Sequence, residues 1–329
     1  METYHQQYVK ICLESADLDI RSPEGRLNLF TFYSANLAHF LPFIPKKEHE
    51  RLFRATIKNQ RLCLLDQAYF GEGLPVDILG WDPAFKQTLK EHPGIICTMH
   101  SGSYRLINYL LAKEGIPFAL VIADHVHEQQ VPHFKDLFEK YLPETRLRFI
   151  NANDPMAALT MFRLLKQGVN LLVYMDGDVG APLKDKKKLF RVPFLGQHVY
   201  ARKGIPYLAY KAGTAVYPLF NFRQADGAIH FFHAAPLHKK SRSLEEYIAH
   251  VIERVYGQFG SLLLHFPEQW DNWFRLHQQM DTDRCYMQPM MEPTGRFGLF
   301  KGDGRYYLLD KHTYKTILLT DDLVKQSRG

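Results

Sequence analysis

Between Gly94 and Leu237 the chain switches repeatedly between two hydrophobic periods, and this alternation restricts it to few architectures. Short, mostly apolar runs at Ile95-Ile-Cys97, Pro117 to Ala123, Arg146 to Ile150 and Val169 to Met175 read as buried strands. Helical spacing separates them. Leu106, Ile107, Leu110 and Leu111 follow the first run, and a helix from about Pro132 to Tyr141 follows the second. Asp154 to Lys166 follows the third, with Pro155 suited to a first turn. Ala201 to Lys211 reads as a short helix, Ala215 to Phe220 and Ile229 to Phe232 as further strands, and Ser243 to Leu264 as a long helix. The expected fold class is therefore α/β, a mostly parallel sheet flanked by helices.

The flanks differ from this middle. Residues 1–87 are expected to form a helical N-terminal region, with helices from about Glu2 to Ala16 and from Lys46 to about Ala68. Residues 88–280 form the α/β domain, and 281–329 a small C-terminal β extension in which Gly302-Asp-Gly304 signals a hairpin. The uncharged run between Arg26 and Lys46 barely approaches the ~20 residues of a spanning helix. It carries Asn28, Asn36 and His39 and is broken by Pro42 and Pro45, which favours a helix packed within the protein, with an interfacial helix as the alternative.

A net charge of +6 implies an anionic partner: a phospholipid surface, an acidic carrier protein, a phosphorylated acceptor or RNA. Cys12, Cys63, Cys97 and Cys285 are far apart and form no Cys-x-x-Cys pair, which indicates neither a disulfide framework nor a zinc site. With a polar opening sequence, the expected location is cytoplasmic, or peripheral at the inner membrane.

The candidate site begins at His100, where the first strand ends and a helix begins. Ligands of open α/β sheets bind at such strand ends. Ser101 or Ser103 can cap the following helix, and the backbone N–H groups of this turn are candidate oxyanion donors. The plainer alternative is a histidine that satisfies a turn carbonyl. A second polar strand end, Asp176-Gly-Asp178, closes the Val169 run. Two carboxylates there could suggest Mg²⁺, but no third ligand is evident. Asp124, His125 and His127, with Glu128 and His133 following, could suggest zinc, although loop histidines near a cleft are as often simple hydrogen-bonders. No metal or other cofactor is expected. His125 and His127 remain candidate substrate contacts. Lys184 to Lys188 reads as a solvated loop, and Trp270 and Trp273 as core packing.

Four ordered blocks carry a resemblance. They are Met99-His-Ser-Gly-Ser-Tyr-Arg105, Tyr174-Met-Asp-Gly-Asp-Val-Gly180, Val192-Pro-Phe-Leu-Gly196 with Ala215-Val-Tyr-Pro218, and Pro267-Glu-Gln-Trp-Asp-Asn-Trp273. Over roughly residues 88–279 the chain resembles the late acyltransferases of lipid A synthesis, a branch of the lysophospholipid acyltransferase superfamily. The resemblance implies transfer of an acyl group from a thioester donor, acyl carrier protein or acyl-CoA, to a hydroxyl or amine. His100 would be the base, Arg105 and Arg202 would contact anion or acceptor, and Asp178 would belong to the substrate site. DNA is not an expected partner.

The family pairs its histidine with an acidic residue five positions on, and here that position is Arg105. None of the sixteen histidines has Asp or Glu at that spacing. Three readings stay open. A carboxylate comes from elsewhere, Asp176 or Asp178 being the candidates. Arg105 binds an anionic group while His100 acts without a carboxylate. Or the site is inactive and the fold binds something. A specialised transferase using another activated donor, such as aminoacyl-tRNA, is the rival within the same chemistry. Ester or thioester hydrolysis is a further rival, although no Gly-x-Ser-x-Gly elbow is present.

Overall fold

The structure, a computed structural model, describes residues 2–22, 25–123, 148–177, 185–280 and 293–320. Among these, seven strands make one sheet: β1 (Ile78–Leu79), β2 (Ile95–Thr98), β3 (Phe118–Ile122), β4 (Arg148–Asn151), β5 (Asn170–Tyr174), β8 (Val216–Arg223) and β9 (Ile229–His233). Their spatial order is β1-β9-β8-β2-β5-β3-β4. Every pair is parallel except β8 with β9, which is antiparallel over Leu219 to Arg223. The mostly parallel α/β sheet read from the sequence is present, with an added two-residue edge strand, β1, too short to leave a periodic signal.

The central strands are apolar throughout because both faces are covered. Helices α4 (Pro83–Glu91) and α5 (Leu106–Lys113) cover one face, where Phe85, Leu89, Leu106 and Leu110 pack with Ile96 and Leu172. The alternate residues Ile95, Cys97, Leu171 and Val173 point to the other face. There they join α6 (Ala157–Lys166), α7 (Gly204–Ala212) and α8 (Leu244–Leu263), with Val251, Val255 and Phe259 of α8 fully buried.

Ala201 and Arg202 do not begin a helix. They end a strand, β7 (Gln197–Arg202), paired with β6 (Leu189–Phe194) in a hairpin. Leu195 and Gly196 turn it, both with positive φ (47° and 76°), the two-residue geometry that matches strand twist. The expected helix at 132–141 lies outside the described residues.

At the N-terminus, α1 (Tyr4–Ala16), α2 (Leu27–Phe40) and α3 (His49–Tyr69) form as helices. The uncharged run becomes α2 and packs inside the protein, burying Tyr33, Asn36, Leu37, His39 and Phe40. No described helix is long and apolar enough to cross a membrane. The C-terminal sheet, β10 (Phe297–Gly302), β11 (Arg305–Asp310) and β12 (Thr316–Leu318), turns at Asp303-Gly304 and lies on α2. Thr31 Oγ1 donates to the Leu299 carbonyl at 2.6 Å, and Lys311 Nζ donates to Ser34 Oγ at 2.9 Å.

Candidate active site

Sheet register assembles the site. β2 and β5 are neighbours with Thr98 opposite Tyr174, so the chain leaves the sheet in step on both strands. Two residues later, His100 Nδ1 lies 2.8 Å from Asp176 Oδ1. The backbone N–H of His100 also donates to Asp176 Oδ2 at 3.0 Å, and Trp270 Nε1–H donates to the same oxygen at 2.7 Å. Gln279 Nε2 holds the Asp176 carbonyl at 2.9 Å. The Asp176 side chain has no exposed surface. An acceptor-only carboxylate at Nδ1 fixes the proton there and leaves Nε2 as the basic nitrogen.

The His100 ring stacks on Tyr174 (centroids 4.4 Å apart) and meets the edge of Tyr104 (4.9 Å). A third of its side chain (32%) stays accessible, on the wall of a cavity of about 1380 Å³. Burial alone would lower the pKa of His100. The charge and hydrogen bond of Asp176 outweigh it, with Asp271 adding and Arg105 opposing, and hold the imidazole above its ordinary value. Burial pushes Asp176 upward, but His100 and Trp270 hold its carboxyl below the usual carboxylate range.

The turn after His100 is built for rigidity. Gly102 has φ +56°, and a Cβ there would meet the Asn221 carbonyl oxygen at 2.4 Å, so only glycine fits. The three N–H groups proposed as oxyanion donors are already engaged: Ser101 with the Met99 carbonyl (2.8 Å), Gly102 with the Gln269 carbonyl (2.9 Å) and Ser103 with Asn221 Oδ1 (2.7 Å). Both serines are buried and absent from the cavity wall. Neither caps α5, whose N-cap is Arg105 without a side-chain bond. Instead the Ser103 hydroxyl donates to Asp66, which forms a buried ion pair with Arg223 and accepts from Tyr4 at 2.7 Å.

Arg105 lines the cavity, its guanidinium 5.5 Å from the Tyr104 ring centroid and its Nη1 3.3 Å from Gln67 Oε1. Arg202 also lines it and donates to the Gly177 carbonyl. His125, His127 and Asp178 lie outside the described residues, as do Asp124, Glu128 and His133. Among the described residues no group of three or more His, Cys, Asp or Glu could hold a metal. Away from His100 the cavity runs between α6 and α7 past Ala158, Leu159, Phe162, Ile205 and Leu208, with Lys187, Lys188, Lys203 and Lys211 also on its wall.

Sequence reading missed three contributors. Trp270 is core packing as expected, yet its indole N–H also holds Asp176; the Asp66–Arg223 pair left no motif. Asp271, next to Trp270, is half-buried on the cavity wall, and its N–H bonds the His100 carbonyl at 3.0 Å. Burial, helped by Asp176 and opposed by His100 and Arg105, pushes its carboxyl up to about 6.

No curated protein matches the chain in sequence. The crystal structure of the 1-acyl-sn-glycerophosphate (LPA) acyltransferase PlsC from Thermotoga maritima aligns at 15% identity and a TM-score of 0.39, over 80% of this chain and 98% of that one. The profile of the bacterial lipid A biosynthesis acyltransferases matches residues 35–282, which include β2, β5, the His100 turn and Trp270. The chain belongs to the bacterial lipid A biosynthesis acyltransferase family.

Proposed function

We propose that this chain transfers an acyl group from a thioester donor, acyl carrier protein or coenzyme A, to a hydroxyl or amine. The observation that carries the reading is the His100 Nδ1–Asp176 hydrogen bond, with the ring on a cavity wall. Asp176 then supplies the carboxylate that position 105 lacks. His100 Nε2 takes the acceptor's proton as its oxygen or nitrogen bonds to the thioester carbon. Asp176 keeps the tautomer and stabilises the imidazolium, the division of labour between base and orienter. When the tetrahedral intermediate collapses, the C–S bond breaks and the imidazolium returns the proton to the departing thiolate.

The apolar arm between α6 and α7 suits an acyl chain, and Arg105 with Arg202 suits an anionic group of either substrate. A second donor reading rests on the cavity's lysines: Lys187, Lys188, Lys203 and Lys211 would equally favour a polyanionic donor such as aminoacyl-tRNA.

The test is incubation of the protein with labelled acyl-carrier, acyl-CoA and aminoacyl-tRNA pools, beside His100→Ala. Label transferred by the wild type and lost in the variant supports the reading and names the donor class. Binding of a donor without transfer makes the chain a binding protein.

A further inference from the structure

Asp271 brings a second proton acceptor to the same cavity as His100. Its backbone N–H is tied to the His100 carbonyl at 3.0 Å, which sets the residue beside the turn. The side chain bonds the amide of Gln60, also on the cavity wall, and among the described residues it joins no ion pair. A half-buried carboxylate with no ion-pair partner among the described residues is costly to keep charged, and a cation entering the cavity would offset that cost. The His100–Asp176 pair is complete without it.

The geometry points to an acceptor that is a primary amine, held as its ammonium ion by Asp271 beside His100; this deepens the acyl-transfer reading and rests on it. Acceptor chemistry distinguishes the two nucleophiles. An alcohol gives up one proton as its oxygen bonds to the acyl carbon, and one base suffices. An alkylammonium must give up two. Asp271 takes the first, which frees the nitrogen lone pair. His100 Nε2 takes the second as the N–C bond forms, and this proton leaves on the departing thiol. Asp271 returns the first to water, so the products are an amide, a thiol and one solvated proton.

The test uses octylamine and octanol, whose identical tails cancel apolar binding, with acyl-CoA and acyl-carrier-protein pools both supplied as donors. Wild-type enzyme is expected to favour octylamine in both binding and transfer. Asp271→Asn should lower the amine-to-alcohol selectivity about tenfold or more, the size of a lost charged hydrogen bond, and Asp271→Glu should restore part of it. Selectivity that does not move in Asp271→Asn, or transfer to octanol alone, overturns the amine assignment while leaving acyl transfer intact. Transfer to neither acceptor, with octylammonium binding still dependent on Asp271, removes the acyl-transfer reading and keeps the ammonium site.

Discussion

Trp270 Nε1–H meets Asp176 Oδ2 at 2.7 Å, on the oxygen that the His100 side chain leaves free. The carboxylate is therefore held from two sides, by an imidazole on one oxygen and an indole with a backbone N–H on the other. A carboxylate fixed in this way cannot rotate away from the ring it orients. Trp270→Phe keeps most of the buried volume and removes only the donor. The expected result is a folded protein with kcat lowered about 10- to 100-fold, the range of one charged hydrogen bond expressed in the transition state. Steady-state kinetics beside a thermal melt checks this.

A base must be neutral to act, so the rate should rise with pH through the pKa of His100. That pKa is held above its ordinary value of 6.5, mainly by Asp176 against the effect of burial. Asp176→Asn removes the main negative charge and leaves burial and Arg105, both of which lower the pKa, against Asp271 alone. The rising limb of kcat/KM should therefore shift to lower pH as the maximum falls. A limb that stays in place would show that Asp176 does not control the ring.

The buried Asp66–Arg223 pair supports the His100 turn through the Ser103 hydroxyl. Arg223→Met leaves Asp66 buried and charged, a change that costs about 3–5 kcal/mol. Replacing both partners with apolar residues should recover much of that loss. Urea unfolding of the two single variants and the double variant measures it.

Acid should loosen the protein where the C-terminal sheet meets α2. His39 and His49 are each 1% exposed, and burial pushes both imidazoles down to about 4. The unfolded chain takes up their protons near 6.5 and the folded chain does not. Their contribution is complete above pH 6.5 and is lost as pH falls from 6.5 toward 4, on the order of 3 kcal/mol for each histidine. Melting temperatures at pH 7.5 and 4.5 test this, and His39→Gln should reduce the difference.

The strands and their faces were legible because local periodicity reports burial. Ile95, Ile96 and Cys97 are apolar without a break, and helices cover their strand on both faces of the sheet. His100 and Asp176 could be read as strand ends, and their nearness required only that β2 and β5 be neighbours. Where local signals failed, tertiary partners had taken over. Ser103 carries a helix-capping side chain, but buried Asp66 claims its hydroxyl. The N–H groups of Gly102 and Ser103 looked available because their acceptors, Gln269 and Asn221, are far along the chain. Arg202 follows a residue with helical propensity, yet the Leu195-Gly196 turn commits it to a hairpin. Trp270 gave no sign of its second role, since no spacing rule links positions 94 residues apart.

The most direct test of the central claim, that His100 and Asp176 act as one catalytic unit, is a double-variant cycle on the acyl-transfer rate. With the donor that the pool experiment identifies, His100→Gln, Asp176→Asn and their combination are compared with the wild type. If Asp176 acts only through the imidazole, the combined variant is no slower than His100→Gln alone. Losses that multiply, or a His100→Gln enzyme that keeps its rate, would contradict the account.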